Sequence, residues 1–372
     1  MDGDLLLVIV VATALAFDFT NGFHDTANVV ATAISTRAIG PRAAVAFAAV
    51  LNFAGAFISL EVAATVASDI VVAGSVTGTI VFAGLVGAIA WNLATWYFGL
   101  PSSSSHALIG GLVGSALAAQ GPDAILGGGL VSRVVVPAVI APILAFGVAG
   151  VAILVLYRIF GRARPGPVNR GFRLGQLATG GVLALSHGTN DAQKTMGIIT
   201  LALIANGNLP AAGFDVPLWV VISAASAIAL GTYSGGWRII RTMGTRIIKM
   251  DPAQGFAAQG AGAAVILAAS QAGYPLSTTH TISGAVMGSG AARRLSAVRW
   301  GVAGNIVVAW LLTLPAAAAG GALVYGVCSI PDDDTLGPFF VALAMLAAAL
   351  VFVAGRLRRG STLTAAGTFR ST

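Results

Sequence analysis

Charge is what this sequence has least of. Only 9% of its 372 residues are Asp, Glu, Lys or Arg, against about 25% in a typical soluble domain. So few charges cannot wet the surface of a soluble protein of this length, which excludes a water-soluble globular fold. A single cysteine, Cys328, excludes an internal disulfide. The net charge is +7, yet no basic face with interleaved aromatics accompanies it, which argues against nucleic-acid binding. The opening Met1-Asp2-Gly3-Asp4 lacks the positive charge that begins a secretory signal peptide, so cleavage is not expected.

What remains is apolar. Hydrophobic residues make up 57% of the chain and glycine accounts for 48 positions. The mean hydropathy is +0.89. Apolar runs long enough to cross a bilayer, about 20 residues each, recur along the chain, and glycine is frequent in membrane helices. The sequence therefore predicts an all-α polytopic membrane protein.

Arginine sets the expected topology, because short cytoplasmic loops collect Lys and Arg. Such clusters are Arg158, Arg162, Arg164, Arg170 and Arg173; the stretch Arg238–Lys249; Arg293, Arg294 and Arg299; and Arg356, Arg358 and Arg359. Acidic or neutral loops alternate with them: Asp2–Asp4, Glu61–Asp69, Gly121–Asp123, Asn206–Asp215 and Asp332–Asp334. Threading the chain between the two kinds of loop gives about 11 transmembrane elements. They are 4–36, 41–60, 79–99, 103–120 and 131–157; then 174–205, 217–236, 255–273, 279–292 and 299–327; and last 336–356. The N-terminus lies outside and the C-terminus is cytoplasmic. Residues 1–160 form an N-terminal membrane repeat, 161–173 a cytoplasmic Arg-rich loop and 174–327 a second repeat. Residues 328–357 form a final transmembrane helix and 358–372 a cytoplasmic tail.

The repeat is visible in two motifs. Pro101-Ser102-Ser103-Ser104-Ser105-His106, followed by Gly110 and Gly114, aligns with Pro275-Leu276-Ser277-Thr278-Thr279-His280, followed by Gly284 and Gly288. Gly22-x-x-Asp25 aligns with Gly188-x-x-Asp191, in the same order within each half. A unit with an odd number of crossings enters the membrane inverted on its second use, so the halves form two inverted five-crossing repeats. Segments 4–36 and 174–205 are long and polar in the middle, and are expected to be broken helices. Segments 103–120 and 279–292 are short and begin with hydroxyl runs. Broken and short helices at matching places in two halves point to a transport site.

The chemistry of these motifs is that of anion binding. Proline ends one helix and Ser or Thr caps the next. The new helix presents free N–H groups and a partial positive charge, a ready-made anion site. Ser103, Ser104, Ser105, Ser277, Thr278 and Thr279 add neutral donors, and inversion brings the two helix starts face to face. The alternative is that these hydroxyls only cap or bond neighbouring helices.

Asp25 and Asp191 are sharper. An intramembrane carboxylate costs at least about 2.5–3.5 kcal/mol, so it is paired or functional. Two carboxylates beside a dianion repel it unless a cation enters too, which is the logic of a symporter. A protonated phosphate can donate its own O–H to an Asp, and sulfate at neutral pH cannot, so the carboxylates favour phosphate. His106 and His280 follow the hydroxyl runs. With Asn21, His187 and Gln193 they are candidates for a supporting shell. Gly110, Gly114, Gly284 and Gly288 are expected to serve close helix packing, and Asn52 to pack within its span. No cofactor and no metal-ligand set is expected. An anion channel and an intramembrane hydrolase are rival readings. Buried carboxylates argue against the first, and an inverted repeat gives no gain to the second.

The motifs resemble the inorganic phosphate transporter family, often called PiT. Its mark is Gly-Ala-Asn-Asp-x-x-Asn-Ala once in each half, with Pro-x-Ser-Thr-His-type motifs between. The likeness runs from about residue 5 to 327. It implies a cation-coupled phosphate symporter, homodimeric, in a plasma membrane. By position it implies that Asp25, Asn28, Asn190 and Asp191 form the polar shell for cation and substrate, and that Ser103, Ser104, Ser105, Thr278 and Thr279 are phosphate donors. Two positions depart from the pattern: His24 and Lys194 stand where the family has Asn. Neither an ammonium nor a protonated imidazole can ligate Na⁺, and Lys194 can stand as a tethered cation in a sodium's place. Asn21-Gly22-Phe23-His24-Asp25-Thr26-Ala27-Asn28 resembles the bacterial low-affinity branch, which is proton-coupled and takes up metal–phosphate complexes. The expectation is H⁺ coupling, with His24, whose imidazole type titrates near neutral pH, and Asp25 or Asp191 as proton carriers. Na⁺ coupling and sulfate transport within the same family are the alternatives.

Overall fold

The computed structural model describes residues 3–210, 214–331 and 333–367. The outer-loop positions Met1, Asp2, 211–213 and Asp332, and the last five residues of the expected tail, lie outside that description. The chain is built of helices. The first half contains α1 (Gly3–Ser35), α2 (Pro41–Gly55), α3 (Glu61–Ser68), α4 (Gly78–Phe98), α5 (Ser104–Gln120) and α6 (Gly127–Phe160). The second contains α7 (Pro165–Ala205), α8 (Leu218–Ser234), α9 (Trp237–Arg246), α10 (Pro252–Gln271), α11 (Thr278–Ala291) and α12 (Trp300–Cys328). A last helix, α13, covers Leu336–Gly367.

Among the described residues, four helices are long and apolar enough to cross a bilayer: Asp4–Ser35 within α1, α4, α6 and α12. The pair α8–α9, bent by 58°, makes a fifth candidate. The remaining expected crossings are shorter or more polar. Apolar side chains such as Ile143, Leu311 and Leu323 project outward from α6 and α12, as lipid-facing residues do. The bend between α8 and α9 falls at Gly235, whose φ of 72° suits a residue without Cβ.

Two expectations are corrected here. Segments 4–36 and 174–205 are not broken: α1 runs unbroken for 33 residues and α7 for 41. The polar side chains at their centres, Asp25, Asn28 and Asn190 among them, find partners on neighbouring helices, so the backbone there has no reason to open. The expected Arg-rich loop 161–173 is also mostly helix, since α7 starts at Pro165 with proline in its first turn.

The irregular backbone lies instead at two hairpin tips. Helix α4 ends at Gly99, with φ 67°, and α5 starts three residues beyond Pro101. Helix α10 ends before Gly273, with φ 72°, and α11 starts three residues beyond Pro275. Ser103 and Ser277 are the N-caps, accepting from the backbone N–H of His106 at 3.1 Å and of His280 at 3.2 Å.

The halves interlock reciprocally. Helix α1 packs on α8 of the other half, and α7 packs on α2. Helix α5 packs on α12, and α11 on α6. Glycine makes these approaches possible. A Cβ on Gly110 or Gly114 would stand 2.6 or 2.0 Å from the carbonyl oxygens of Leu314 and Ala318. On Gly284 or Gly288 it would stand 2.3 or 2.1 Å from those of Pro142 and Phe146. The four glycines that match in sequence therefore match in role, each a close backbone crossing. The result sets the middles of α1 and α7 against the two hairpin tips.

Candidate functional site

Asp25 of α1 lies where the two hairpin tips meet. Ser104, the first residue of α5, donates to its Oδ2 at 2.7 Å. Thr278, the first residue of α11, lies 3.2 Å from the same oxygen, and Thr279 lies 3.4 Å from Oδ1. One carboxylate therefore bridges the starts of two helices, the position where free N–H groups and helix dipoles favour negative charge. Asn28, one turn along α1, donates to Thr278 Oγ1 at 3.3 Å and to Thr279 Oγ1 at 2.9 Å, fixing both hydroxyls. Asn21, one turn before Asp25, lies 2.6 Å from Ser104 Oγ. His24 holds the remaining side of the carboxylate, with Nδ1 2.7 Å from Oδ1. Its Nε2 faces Thr95 at 3.2 Å and Ser102 at 3.4 Å.

Asp191 of α7 joins the cluster through Thr278, whose hydroxyl lies 3.3 Å from its Oδ2 and so bridges the two carboxylates. Lys194, one turn on, is buried and pairs with Asp191 Oδ1 at 2.5 Å. The same ammonium donates to Ser105 Oγ at 2.5 Å and to the Leu276 carbonyl at 2.8 Å. All three of its N–H donors are thus used. His187 Nε2 stands 3.2 Å from Asp191 Oδ2 as a close polar contact, and its Nδ1 faces Asn52 Oδ1 at 3.2 Å. Breaking such a buried pair by removing one partner costs about 3–5 kcal/mol. Oxygen and nitrogen atoms of Asp25, His187 and Asp191 lie within 4.8 Å of one another, a spacing that suits a cation. The ammonium of Lys194 already pairs with one of the three, Asp191.

The site thus gathers Asp25, Asp191, Asn28, Ser104, Ser105, Thr278, Thr279, His24 and Lys194, with Asn21 and His187 beside them. Other candidates fall elsewhere. Ser103 and Ser277 spend their hydroxyl oxygens as helix caps. Asn190 turns away and donates to Ser270 Oγ at 2.8 Å and to the Tyr274 carbonyl at 3.1 Å. Gln193 accepts from the backbone N–H groups of Val62 at 2.8 Å and Ala63 at 3.2 Å, capping the short helix α3. The rings of His106 and His280 meet edge to face at 4.8 Å, and His280 stacks on Trp310 at 4.1 Å. They form an aromatic layer behind the tips.

Sequence reasoning missed four residues. Asn52, expected only to pack, touches the imidazole beside Asp191 and donates to Thr232 at 2.8 Å. Thr95 and Ser102 support His24. Asp18, on α1, is a third buried carboxylate beside Asp25 and Asp191. A signal existed for it: an acid in an apolar run, seven residues before Asp25 and hence on the same helix face.

The chain is similar to known proteins over most of its length. The model of the phosphate transporter family matches residues 21–169 and 161–321. A protein of Mycobacterium tuberculosis (strain ATCC 25618 / H37Rv), named "Probable low-affinity inorganic phosphate transporter", is 54% identical over 86% of this chain and 77% of its own. A protein of Rhizobium meliloti (strain 1021) with the same name is 52% identical over 86% of this chain and 96% of its own. A solved structure titled "The sodium-dependent phosphate transporter" superposes with a TM-score of 0.74 at 26% identity, covering 87% of this chain and 99% of that one.

Proposed function

The chain belongs to the phosphate transporter family, and from that premise we propose that it imports inorganic phosphate in symport with H⁺ across the plasma membrane. It is a multi-pass membrane transporter and not an enzyme. We read its halves as inverted repeats within about 11 crossings, with the N-terminus outside and the C-terminus cytoplasmic. The family likeness supports a homodimer as the working unit.

One observation carries the choice of coupling ion. The ammonium of Lys194 pairs with Asp191 and also takes the Leu276 carbonyl and the Ser105 hydroxyl. These are the kinds of oxygen that ligate Na⁺. A tethered cation there leaves neutralisation of the Asp25 side to a proton, and His24, in contact with Asp25, is its carrier. Phosphate would bind between the helix starts, taking the hydroxyls of Ser104, Ser105, Thr278 and Thr279 in place of the Asp25 oxygens. Its own O–H would then donate to a carboxylate.

The test is uptake of labelled phosphate into proteoliposomes under imposed gradients. An inward H⁺ gradient should drive accumulation without Na⁺, with arsenate competing and sulfate not. Uptake that requires inward Na⁺ and ignores pH would reject H⁺ coupling. Persistence of uptake after chelation of divalent cations identifies free phosphate, rather than a metal complex, as the transported form.

A further inference from the structure

Asp18 is the one buried carboxylate of α1 that the site above does not use. It is fully buried, and neither of its oxygens receives a hydrogen bond among the described residues. Ionised carboxylates inside membrane proteins are costly unless paired or hydrogen-bonded, and Asp18 has no ion pair and no donor in full hydrogen-bonding geometry among the described residues. It nevertheless faces the charged cluster. Asp191 and Lys194 of α7 act on it electrostatically, and its nearest polar neighbours are Thr195 on α7 and Asn21 on its own helix. The Thr195 hydroxyl is likewise buried without a partner. The flanking helices α4 and α8 carry no Asp, Glu, Lys, Arg or His. Those two helices offer no countercharge to an ionised Asp18, and the cation nearest at hand, Lys194, is already paired with Asp191. Asn21 ties the position to the site, because it also contacts Ser104, which donates to Asp25.

We propose that Asp18 is a second proton-binding site of the transport cycle, on the side of the Asp25 cluster nearer the chain's start. The inference rests on the H⁺-coupled reading above. The bound form is a neutral carboxylic acid: a proton from external water forms an O–H bond on Asp18, and the same bond breaks when that proton is released inside. No electron pair leaves the protein and no other reactant is needed. The charge of the buried cluster changes by one between the two forms. Lys194 and Asp191, close enough to act on Asp18, are the groups that register this change. Asp18 is a coupling residue and not a phosphate ligand, since Ser104 meets α1 at Asp25, about two turns further along the helix.

The full-length chain in proteoliposomes tests this with two measurements. Phosphate counterflow at equal pH needs no net proton movement. Accumulation under a pH gradient does, and each coupled proton sustains about a tenfold ratio per pH unit with the membrane potential clamped. The expected result is that Asp18→Asn keeps counterflow but loses that tenfold accumulation, whereas Asp18→Glu restores it. Wild-type accumulation in Asp18→Asn would overturn the proposal, as would loss of counterflow together with accumulation in a chain that still elutes as a folded protein. If Asp18→Asn does not fold, Thr195→Val asks the same question through its hydroxyl: the pH midpoint of uptake should shift while counterflow holds, and an unmoved midpoint overturns the proposal. The wild-type arm separates the two readings. A wild-type chain driven by Na⁺ alone rejects the H⁺ symport on which the proposal stands, whereas an H⁺-driven wild type with an indifferent Asp18→Asn rejects Asp18 only.

Discussion

At the scale of the residue, the cluster is held by hydrogen bonds to ionised groups, each worth about 1.5–3 kcal/mol. Asp25→Asn keeps the shape of the side chain but removes the charge that Ser104, Thr278, Thr279 and His24 address. Proton-driven phosphate uptake should fall by at least about 10–100-fold, the equivalent of one such bond. Asp191→Asn should do the same by freeing Lys194, and in both cases gel filtration should show a folded protein. Normal transport by both variants would remove the carboxylates from the mechanism. Lys194→Asn is the complementary exchange, since it replaces the tethered cation by a carbonyl ligand. It should lose proton-driven uptake and gain stimulation by Na⁺, and indifference to Na⁺ in that variant would count against the tethered-cation reading. Most of these residues were legible in the sequence, because a carboxylate or lysine in an apolar run requires an explanation. What the sequence could not separate was the role of neighbours. Asn190 and Asp191 are adjacent, yet on a helix successive side chains diverge, so one faces the cluster and the other faces Ser270.

At the scale of the element, the hairpin tips were legible and the long helices were not. Pro101 and Pro275 with their following hydroxyls fix where a helix stops and another starts, and the caps at Ser103 and Ser277 follow from local rules. A polar cluster inside an apolar segment has no such local solution. It can be met by opening the backbone or by partners on other helices, and only the packed structure selects the second for α1 and α7. The glycines of α5 and α11 make a separate prediction. Gly114→Ala places a methyl against the Ala318 carbonyl, and Gly288→Ala places one against the Phe146 carbonyl. Overpacking of this kind costs about 1–3 kcal/mol. Each variant should lower the melting temperature of the purified protein in detergent, with the two losses similar because the two crossings are equivalent. A melting temperature unchanged in either would show that its crossing has room to spread.

At the scale of the whole molecule, the reciprocal packing means that neither half closes on itself. The first hairpin, α4–α5, packs with α12, and the second, α10–α11, packs with α6, while α1, α2, α7 and α8 pack together between them. Relative movement of the hairpins against that centre therefore carries elements of both halves at once. The direction of the chain through the bilayer can be checked independently. Cys328 is buried and free, so a Cys328→Ser background allows single cysteines to report sidedness. Arg162→Cys should react with an impermeant maleimide only from the cytoplasmic face, and Asn208→Cys only from outside. Labelling of both from one face would reverse or refute the threading. The bridge that Asp25 makes between the two helix starts has one more consequence. Its oxygens already take the hydroxyls proposed to bind the anion, so in that reading the protein's own side chain is a built-in competitor for the substrate. At the proposed site phosphate would bind by displacement, and its net affinity would be the difference between two similar sets of contacts. A carrier made this way trades tight capture for easy release on the far side, with its donors never left unmatched between loads.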